Sequence, residues 1–306
     1  MDPLILLFAL GVVARLARSD LRFPEPVYEA LSIYLLLAIG LKGGVELSRE
    51  PLASVALPAV ASVLLGFALP FILFPLLRRF AGLSRADAAS VAAHYGSVSV
   101  VTFAIAGAYL ERRGIAAESF MPVLLALMEA PGIVAGVLLA RAGGLGGAPV
   151  LREVAVNKGI VLLAGGIAIG WIAGPEGYAP LKPLFGDLFR GVLALYLLEL
   201  GLVVGGRVPE LRRAGWPLAA FGIVVPAVFG IAGLHIGTAV LDLSPGGGVL
   251  FGILLASASY IAAPAAMRMA VPEANPALGI SAALAVTFPF NVFVNIPLLA
   301  SLGVPS

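Results

Sequence analysis

Two similar stretches of the chain, Ile33–Gly44 (IYLLLAIGLKGG) and Leu195–Gly206 (LYLLELGLVVGG), lie just over half the chain length apart. A second pair recurs at a similar offset, Glu129–Val134 (EAPGIV) and Thr287–Val292 (TFPFNV). Membrane helices rich in Leu, Gly and Pro also resemble one another by composition alone, and that explanation stays open. The recurrence itself predicts a chain built from two related halves.

Each of the longer stretches carries two glycines four residues apart, Gly40 and Gly44 in one and Gly201 and Gly205 in the other. Small residues at this spacing let membrane helices approach closely. We therefore interpret these glycines as helix-packing positions and not as ligand positions.

The composition indicates an all-α membrane protein. Of 306 residues, 60% are hydrophobic and 12% are charged, with a mean hydropathy of +1.06, whereas soluble domains have about 45–50% and about 25%. The absence of Cys excludes disulfides, thiolate metal sites and Cys nucleophiles. A net charge of +2 gives no reason to expect a nucleic-acid partner.

The apolar runs between charged clusters predict ten transmembrane helices, because a spanning helix needs about 20 apolar residues. The predicted spans cover residues 3–18, 30–48, 52–77, 87–110, 119–140, 151–174, 186–205, 215–241, 246–270 and 277–302. The first run lacks a basic start and is followed by arginines, which favours a span over a cleaved signal peptide.

The basic residues are unequally divided between the two sides of this topology. One side receives 13 of the 19 basic residues, namely Arg15, Arg18, Arg22, Arg78, Arg79, Arg85, Arg141, Arg152, Lys158, Arg207, Arg212, Arg213 and Arg268. The other receives 6, namely Lys42, Arg49, Arg112, Arg113, Lys182 and Arg190. The positive-inside rule places the first group in the cytoplasm and predicts that both termini are periplasmic or extracellular.

With ten spans, each half holds five, over residues 1–148 and 149–306. An odd number of spans forces the second half to enter the membrane in the opposite orientation. This 5+5 inverted repeat is typical of secondary transporters with alternating access.

Spans four and nine are interrupted at corresponding places, in His94–Phe103 (HYGSVSVVTF) and Ala256–Pro264 (ASASYIAAP). A broken helix at the bilayer midplane presents free backbone N–H groups and a positive half-helix end, both of which favour an anion. The hydroxyls of both runs would add neutral donors. Ser and Thr also bond back to their own helix carbonyls and bend the helix, and this alternative stays open.

Few ionisable residues lie deep in the predicted spans. Burying a carboxylate there costs free energy, and such a residue is by default functional, as a cation ligand or a proton carrier. We expect such a role for Glu129. Thr287 and Asn291 would offer further oxygens. For Glu199 an interfacial or structural pairing is the safer interpretation. His94 is a candidate for protonation during transport, although a packed neutral imidazole is more common, and His235 is interpreted as structural.

At these residues the chain resembles the sodium-dependent bicarbonate transporters first recognised in cyanobacteria, and especially their proteobacterial-type homologues, nearly from end to end. The most specific matching pieces are Ile39–Gly44, the span-four interruption, Pro183–Phe185 leading to Arg190-Gly191, and Pro264–Arg268 followed by Pro272–Pro276.

The resemblance implies an elevator-type protein that forms a homotrimer in the bacterial inner membrane. Spans 1, 2, 6 and 7 would form the scaffold domain, and spans 3–5 and 8–10 the mobile transport domain. The implied substrate-binding positions are Gly96, Ser97, Val98, Ser99, Thr102, Ser257, Ser259, Tyr260 and Ala262. The implied sodium-binding positions are Tyr95, Glu129, Thr287 and Asn291.

The chain departs from the cyanobacterial pattern at several of these positions. Tyr260 and Ala262 stand where that pattern has Asp and Ser, and Glu129 replaces an Asp. Val100 and Val101 replace small or hydroxyl residues in span four. The loop between spans five and six shrinks to about residues 142–150, so regulation by a PII-like partner is not assumed.

These observations predict a secondary active transporter of a small inorganic anion, with sodium-coupled bicarbonate uptake as the leading hypothesis and no enzyme activity or cofactor. The alternative within the same class is a proton-coupled or uncoupled carrier of another small anion, such as a small carboxylate, using Glu129 or His94. A passive channel, or a hydrolase built from His94, Ser97 and Glu129, is less consistent with paired interruptions in an inverted repeat.

Overall fold

The computed structural model describes residues 3–141, 152 and 156–304, without the side chains of 208–214. Every regular element within these ranges is helical. The helices are α1 (Pro3–Leu16), α2 (Glu25–Leu47), α3 (Leu52–Phe80), α4 (Arg85–Gly96), α5 (Val100–Arg112), α6 (Met121–Glu129), α7 (Pro131–Ala140), α8 (Lys158–Tyr178), α9 (Phe189–Ala214), α10 (Trp216–Ala239), α11 (Pro245–Ala256), α12 (Ala262–Ala270) and α13 (Pro276–Gly303).

Eight helical segments of the described chain are long and apolar enough to cross a membrane, which makes this a multi-pass membrane protein. Arg85–Arg112 and Met121–Ala140 each count as one such segment, made of α4 with α5 and of α6 with α7. The predicted first and ninth spans correspond to shorter apolar helices, α1 with 14 residues and α11 with 12. The count of ten spans therefore stays a prediction.

Two helix pairs make the most extensive helix contacts among the described residues, α2 with α8 and α1 with α9. A Cβ atom at Gly44 would lie 2.0 Å from the backbone oxygen of Ile167 in α8, and one at Gly40 would lie 2.6 Å from that of Leu163. A Cβ at Gly201 would lie 2.2 Å from the oxygen of Phe8 in α1. The expectation that the spaced glycines serve helix packing is confirmed.

The remaining helices form two further groups around the interrupted segments. Helix α3 packs on α4, α6 and α7, and α10 packs on α11 and α13. Helix α11 also contacts α5, and α13 contacts α4, so the two groups meet at the interruptions.

A carboxylate holds the start of each interrupted segment. Asp87 in α4 accepts a hydrogen bond of 2.7 Å from the backbone nitrogen of Asn275, which precedes α13. Glu118, between α5 and α6, accepts hydrogen bonds from the backbone nitrogen and hydroxyl of Ser244, the residue before α11. In each case, the residue that follows one interrupted segment is hydrogen-bonded to a residue at the start of the other interrupted segment.

Three expectations fall on residues outside the described ranges. They are the boundary between residues 148 and 149, the short loop 142–150, and the location of the termini at residues 1–2 and 305–306.

Candidate functional site

Both expected helix interruptions are present. Helix α4 ends at Gly96 and α5 begins at Val100, while α11 ends at Ala256 and α12 begins at Ala262. Gly96 is a packing position, because a Cβ there would lie 2.3 Å from the ring of Pro70 and 3.0 Å from Gly132.

The two interrupted segments are hydrogen-bonded to each other. The backbone nitrogen of Ser99 donates to Ser257 Oγ at 3.0 Å, and the backbone nitrogen of Ser259 donates to the carbonyl oxygen of His94 at 2.7 Å. Backbone groups that lie outside the helices are thereby satisfied in a region remote from water.

Three of the five hydroxyls expected at the site donate their protons to the protein itself. Ser97 Oγ donates to the carbonyl oxygen of Glu129 at 2.9 Å, and Ser257 Oγ donates to that of Leu254 at 3.1 Å. Thr102 Oγ1 donates to Ser99 Oγ at 2.8 Å. Ser257 therefore bonds back to a carbonyl of its own helix, as the alternative interpretation expected, whereas Ser97 links two helices.

Ser99 and Ser259 differ from these three because each oxygen accepts a hydrogen bond from the first turn of the half-helix that follows it. Ser99 Oγ accepts from the backbone nitrogen of Thr102 at 3.2 Å, and Ser259 Oγ accepts from that of Ala263 at 3.1 Å. Each serine therefore caps the half-helix that follows it. Neither hydroxyl donates to a backbone carbonyl among the described residues, and the Ser99 side chain also interacts with that of Tyr260.

A small cavity of about 10 Å³ lies against these two serines. Its lining comes from both interruptions, from the end of α6, and from α2 and α8, through Leu36, Val98, Ser99, Val100, Glu129, Gly159, Ser259, Tyr260 and Ile261. This volume holds about one water molecule. A four-heavy-atom anion would enter only after the walls move apart.

Glu129 supplies the carboxylate of the cavity. The residue is buried at the end of α6, where Ala130 separates it from Pro131 and α7. Its Oε2 atom has no hydrogen-bond partner within the described residues. Its Oε1 lies so close to Gly159 that a Cβ atom there would be 3.1 Å away.

The other expected cation-binding residues have hydrogen-bond partners of their own. Tyr95 Oη lies 2.6 Å from Thr287 Oγ1, which donates to the carbonyl oxygen of Gly222 at 2.8 Å. Asn291 Nδ2 donates to the carbonyl oxygen of Ala256 at 2.9 Å. Tyr95, Thr287 and Asn291 do not line the cavity that contains Glu129.

The structure thus divides the expected site residues. Val98, Ser99, Ser259, Tyr260 and Glu129 share one cavity. The remaining expected residues, Tyr95, Gly96, Ser97, Thr102, Ser257, Ala262, Thr287 and Asn291, are buried around it. Which of these positions contact an anion or sodium stays a prediction.

Leu36 and Gly159 are cavity residues that the sequence did not indicate as site residues. Leu36 lies within an unbroken apolar run. Gly159 lies in the first turn of α8, where its backbone nitrogen donates to the side chain of the N-cap residue Asn157. An Asn at this position signals a helix start in the sequence but does not indicate a binding site.

Two buried polar atoms nearby lack partners among the described residues. Tyr260 Oη, at the cavity, is one of them. His94 bonds the carbonyl oxygen of Ser90 through Nδ1 at 2.8 Å and leaves Nε2 without a partner, with the imidazole packed against Gly279.

The long apolar helices, with a small buried cavity between two interrupted segments, define a multi-pass membrane protein. A family model for the Na+-dependent bicarbonate transporter superfamily matches residues 3–303, and the chain belongs to this family. The expected family is therefore confirmed, and transporter membership also confirms that the chain is not an enzyme. Among curated proteins, none matches the chain.

Proposed function

We propose that this chain is a secondary active transporter that takes up bicarbonate together with sodium by an elevator mechanism. One observation carries the proposal: two serine hydroxyls and one buried carboxylate line the same cavity. The family supports bicarbonate as the anion and sodium as the coupling ion.

The chemistry of the cavity suits a small oxyanion with a companion cation. Ser99 is the N-cap residue of α5, and Ser259 lies just before α12 and accepts from its backbone; the N-terminal ends of both half-helices carry partial positive charge. Their hydroxyls would donate to the anion without a fixed cationic side chain. An ionised Glu129 would repel an anion. The anion would therefore occupy the site only when a cation or a proton at the carboxylate neutralises Glu129.

The helix contacts support the 5+5 inverted repeat. Helices α2 and α8 are spans two and six, and they pack on each other. In an inverted repeat, their equivalents in the other half are spans seven and one, which are α9 and α1, and these also pack on each other. These are the two most extensive helix contacts. The two carboxylate contacts at Asp87 and Glu118 are related in the same way.

The same contacts support two domains. Helices α1, α2, α8 and α9 would form the scaffold, and α3 to α7 with α10 to α13 the transport domain. Leu36 and Gly159 belong to the scaffold, whereas the serines and Glu129 belong to the transport domain. Movement of one domain along the other would open the cavity to each side in turn. A homotrimeric assembly, an inner-membrane location and outward termini complete the proposal.

The test is uptake of labelled bicarbonate into proteoliposomes. We expect an inward sodium gradient to drive accumulation, and internal bicarbonate to accelerate uptake by counterflow. Sodium-independent uptake would contradict coupling, and uptake without counterflow would indicate a channel.

A proton-coupled carrier of another small anion is the second candidate. It is favoured by the unpartnered Oε2 of the single cavity carboxylate, Glu129. In the same vesicles, a proton gradient that replaces sodium, or uptake of a small carboxylate in preference to bicarbonate, would support this candidate.

A further inference from the structure

The first turn of α8 lies beside the carboxylate of Glu129 at the small cavity. Gly159, the second residue of α8, lines this cavity together with Glu129, and a Cβ atom at Gly159 would lie 3.1 Å from Glu129 Oε1. Glu129 is 3% exposed, and its Oε2 atom has no hydrogen-bond partner among the described residues. A buried carboxylate is therefore placed at the start of a helix that belongs to the proposed scaffold.

The start of α8 attracts negative charge. This helix has 21 residues and follows the N-cap residue Asn157, and the N–H groups of its first turn give the helix end a partial positive charge. Within the described ranges, no basic residue lines the cavity. The neighbouring Lys158 is ion-paired with Glu29 of α2 at 2.6 Å. The helix end is thus the positive charge that the proposed scaffold offers to Glu129.

Gly159 makes this close approach possible. Its backbone nitrogen donates to Asn157 Oδ1 at 3.0 Å, in the first turn of the helix. A side chain at this position would occupy the space beside the carboxylate, because its Cβ atom would be within 3.1 Å of Glu129 Oε1. Further along α8, a Cβ atom at Gly165 would meet nothing within 4 Å. The two glycines of one helix therefore differ in whether a methyl group would disturb Glu129.

The contact between Glu129 and α8 joins the two proposed domains. Ile160, also in the first turn of α8, packs against a buried cluster from α7 and α12, made of Ile133, Ala262, Ala263 and Ala266. The N-terminal ends of α5 and α12 also face the cavity, but both would move together with Glu129 in the transport domain. Of these three helix ends, only that of α8 would separate from the carboxylate during transport.

We propose that the N-terminal end of α8 is a docking site for the ionised carboxylate of Glu129, and that Gly159 is the positioning residue that admits it. This docking rests on the proposed function, in which Glu129 binds the coupling cation. The helix end and the cation then compete for one carboxylate, so each weakens the binding of the other. Docking favours the cation-free carrier in the arrangement described above, and a bound cation releases the transport domain from α8.

The test is a sodium titration of the purified protein in choline chloride buffer, followed by the shift in melting temperature. Gly159→Ala should push the carboxylate from the helix end, so sodium should bind about threefold to tenfold more tightly than it binds the parent protein. Gly165→Ala, in the same helix, is the matched control and should bind sodium as the parent does. Where the parent binds sodium, unchanged or weaker binding by Gly159→Ala would overturn the proposal, because a merely structural role predicts no gain in affinity.

A second measurement tests docking without sodium. In choline buffer, Gly159→Ala should lower the melting temperature of the parent protein by more than it lowers that of Glu129→Gln, because a neutral amide gains little from the helix end. An equal effect in both backgrounds would overturn the docking. Failure of the proposed function gives a different result, namely sodium-independent uptake while the difference between the two backgrounds persists.

Discussion

Five buried Ser and Thr hydroxyls lie at the interruptions, and their hydrogen bonds give them different roles. Ser97 and Ser257 donate to backbone carbonyls, and Thr102 donates to Ser99. Ser99 and Ser259 accept hydrogen bonds from the first turn of the half-helices that follow them. The transported anion should therefore depend on the two capping serines for hydrogen-bond donors.

The first prediction concerns these two capping serines. Replacing Ser99 or Ser259 by Ala should each remove one donor worth about 1–2 kcal/mol and weaken bicarbonate binding about fivefold to thirtyfold. The matched control is Ser97→Ala, which should lower thermal stability more than affinity. Binding measurements on the purified variants check this, and equal affinity losses in all three would contradict the assignment.

The second prediction concerns the carboxylate of Glu129. Glu129→Gln preserves the side-chain shape but removes the charge, so the sodium concentration required for half-maximal uptake should rise more than about tenfold. Glu129→Asp should retain sodium dependence. Sodium titrations of uptake decide the matter, and a Gln variant with unchanged sodium dependence would separate this carboxylate from coupling.

At the scale of elements, the helix pair α2 and α8 depends on glycines that let two backbones touch. Gly44→Ala would place a Cβ atom 2.0 Å from the oxygen of Ile167, and overpacking of this kind costs about 1–3 kcal/mol. Gly165 in the same helix pair has open space around it, so Gly165→Ala is the matched control. Thermal unfolding should show a lower melting temperature for Gly44→Ala only.

The interrupted segments depend on carboxylates at their starts. Glu118→Gln weakens two hydrogen bonds at the N-terminus of α11 and should destabilise the protein by about 1–3 kcal/mol. Glu111→Gln is the control, because its contact with Arg190 is exposed and worth little. Equal stability of the two variants would show that Glu118 does not hold the two halves together.

For the whole molecule, the proposed elevator predicts which crosslinks stop transport. The chain has no Cys, so introduced pairs react alone. Arg190 and Glu111 join the proposed scaffold and transport domains at 3.5 Å, whereas Lys158 and Glu29 join two scaffold helices at 2.6 Å. All four side chains are exposed.

A cysteine pair at residues 190 and 111 should stop bicarbonate uptake after treatment with a short bifunctional thiol reagent. The pair at residues 158 and 29 should retain most of its uptake after the same treatment. Uptake that survives the first crosslink, verified by mass spectrometry, would rule out movement between these two domains.

The sequence by itself determined the membrane class, the family resemblance and the places where helices break. Hydropathy, Gly and Pro act locally, so they can be read along the chain, as at Gly96 and at Gly40 with Gly44. The sequence also pointed to Glu129, because a carboxylate within an apolar run is easily recognised.

Only the tertiary structure decided which residues share a cavity. A hydroxyl's role depends on the partner it meets: the Ser97 hydroxyl donates to a carbonyl 32 residues away, and the Ser257 hydroxyl accepts from a backbone nitrogen 158 residues away. The structure likewise brought Gly159 beside Glu129, and Arg15, Arg22 and Arg207 into one pocket. Such contacts arise when distant helices pack, and no local pattern encodes them.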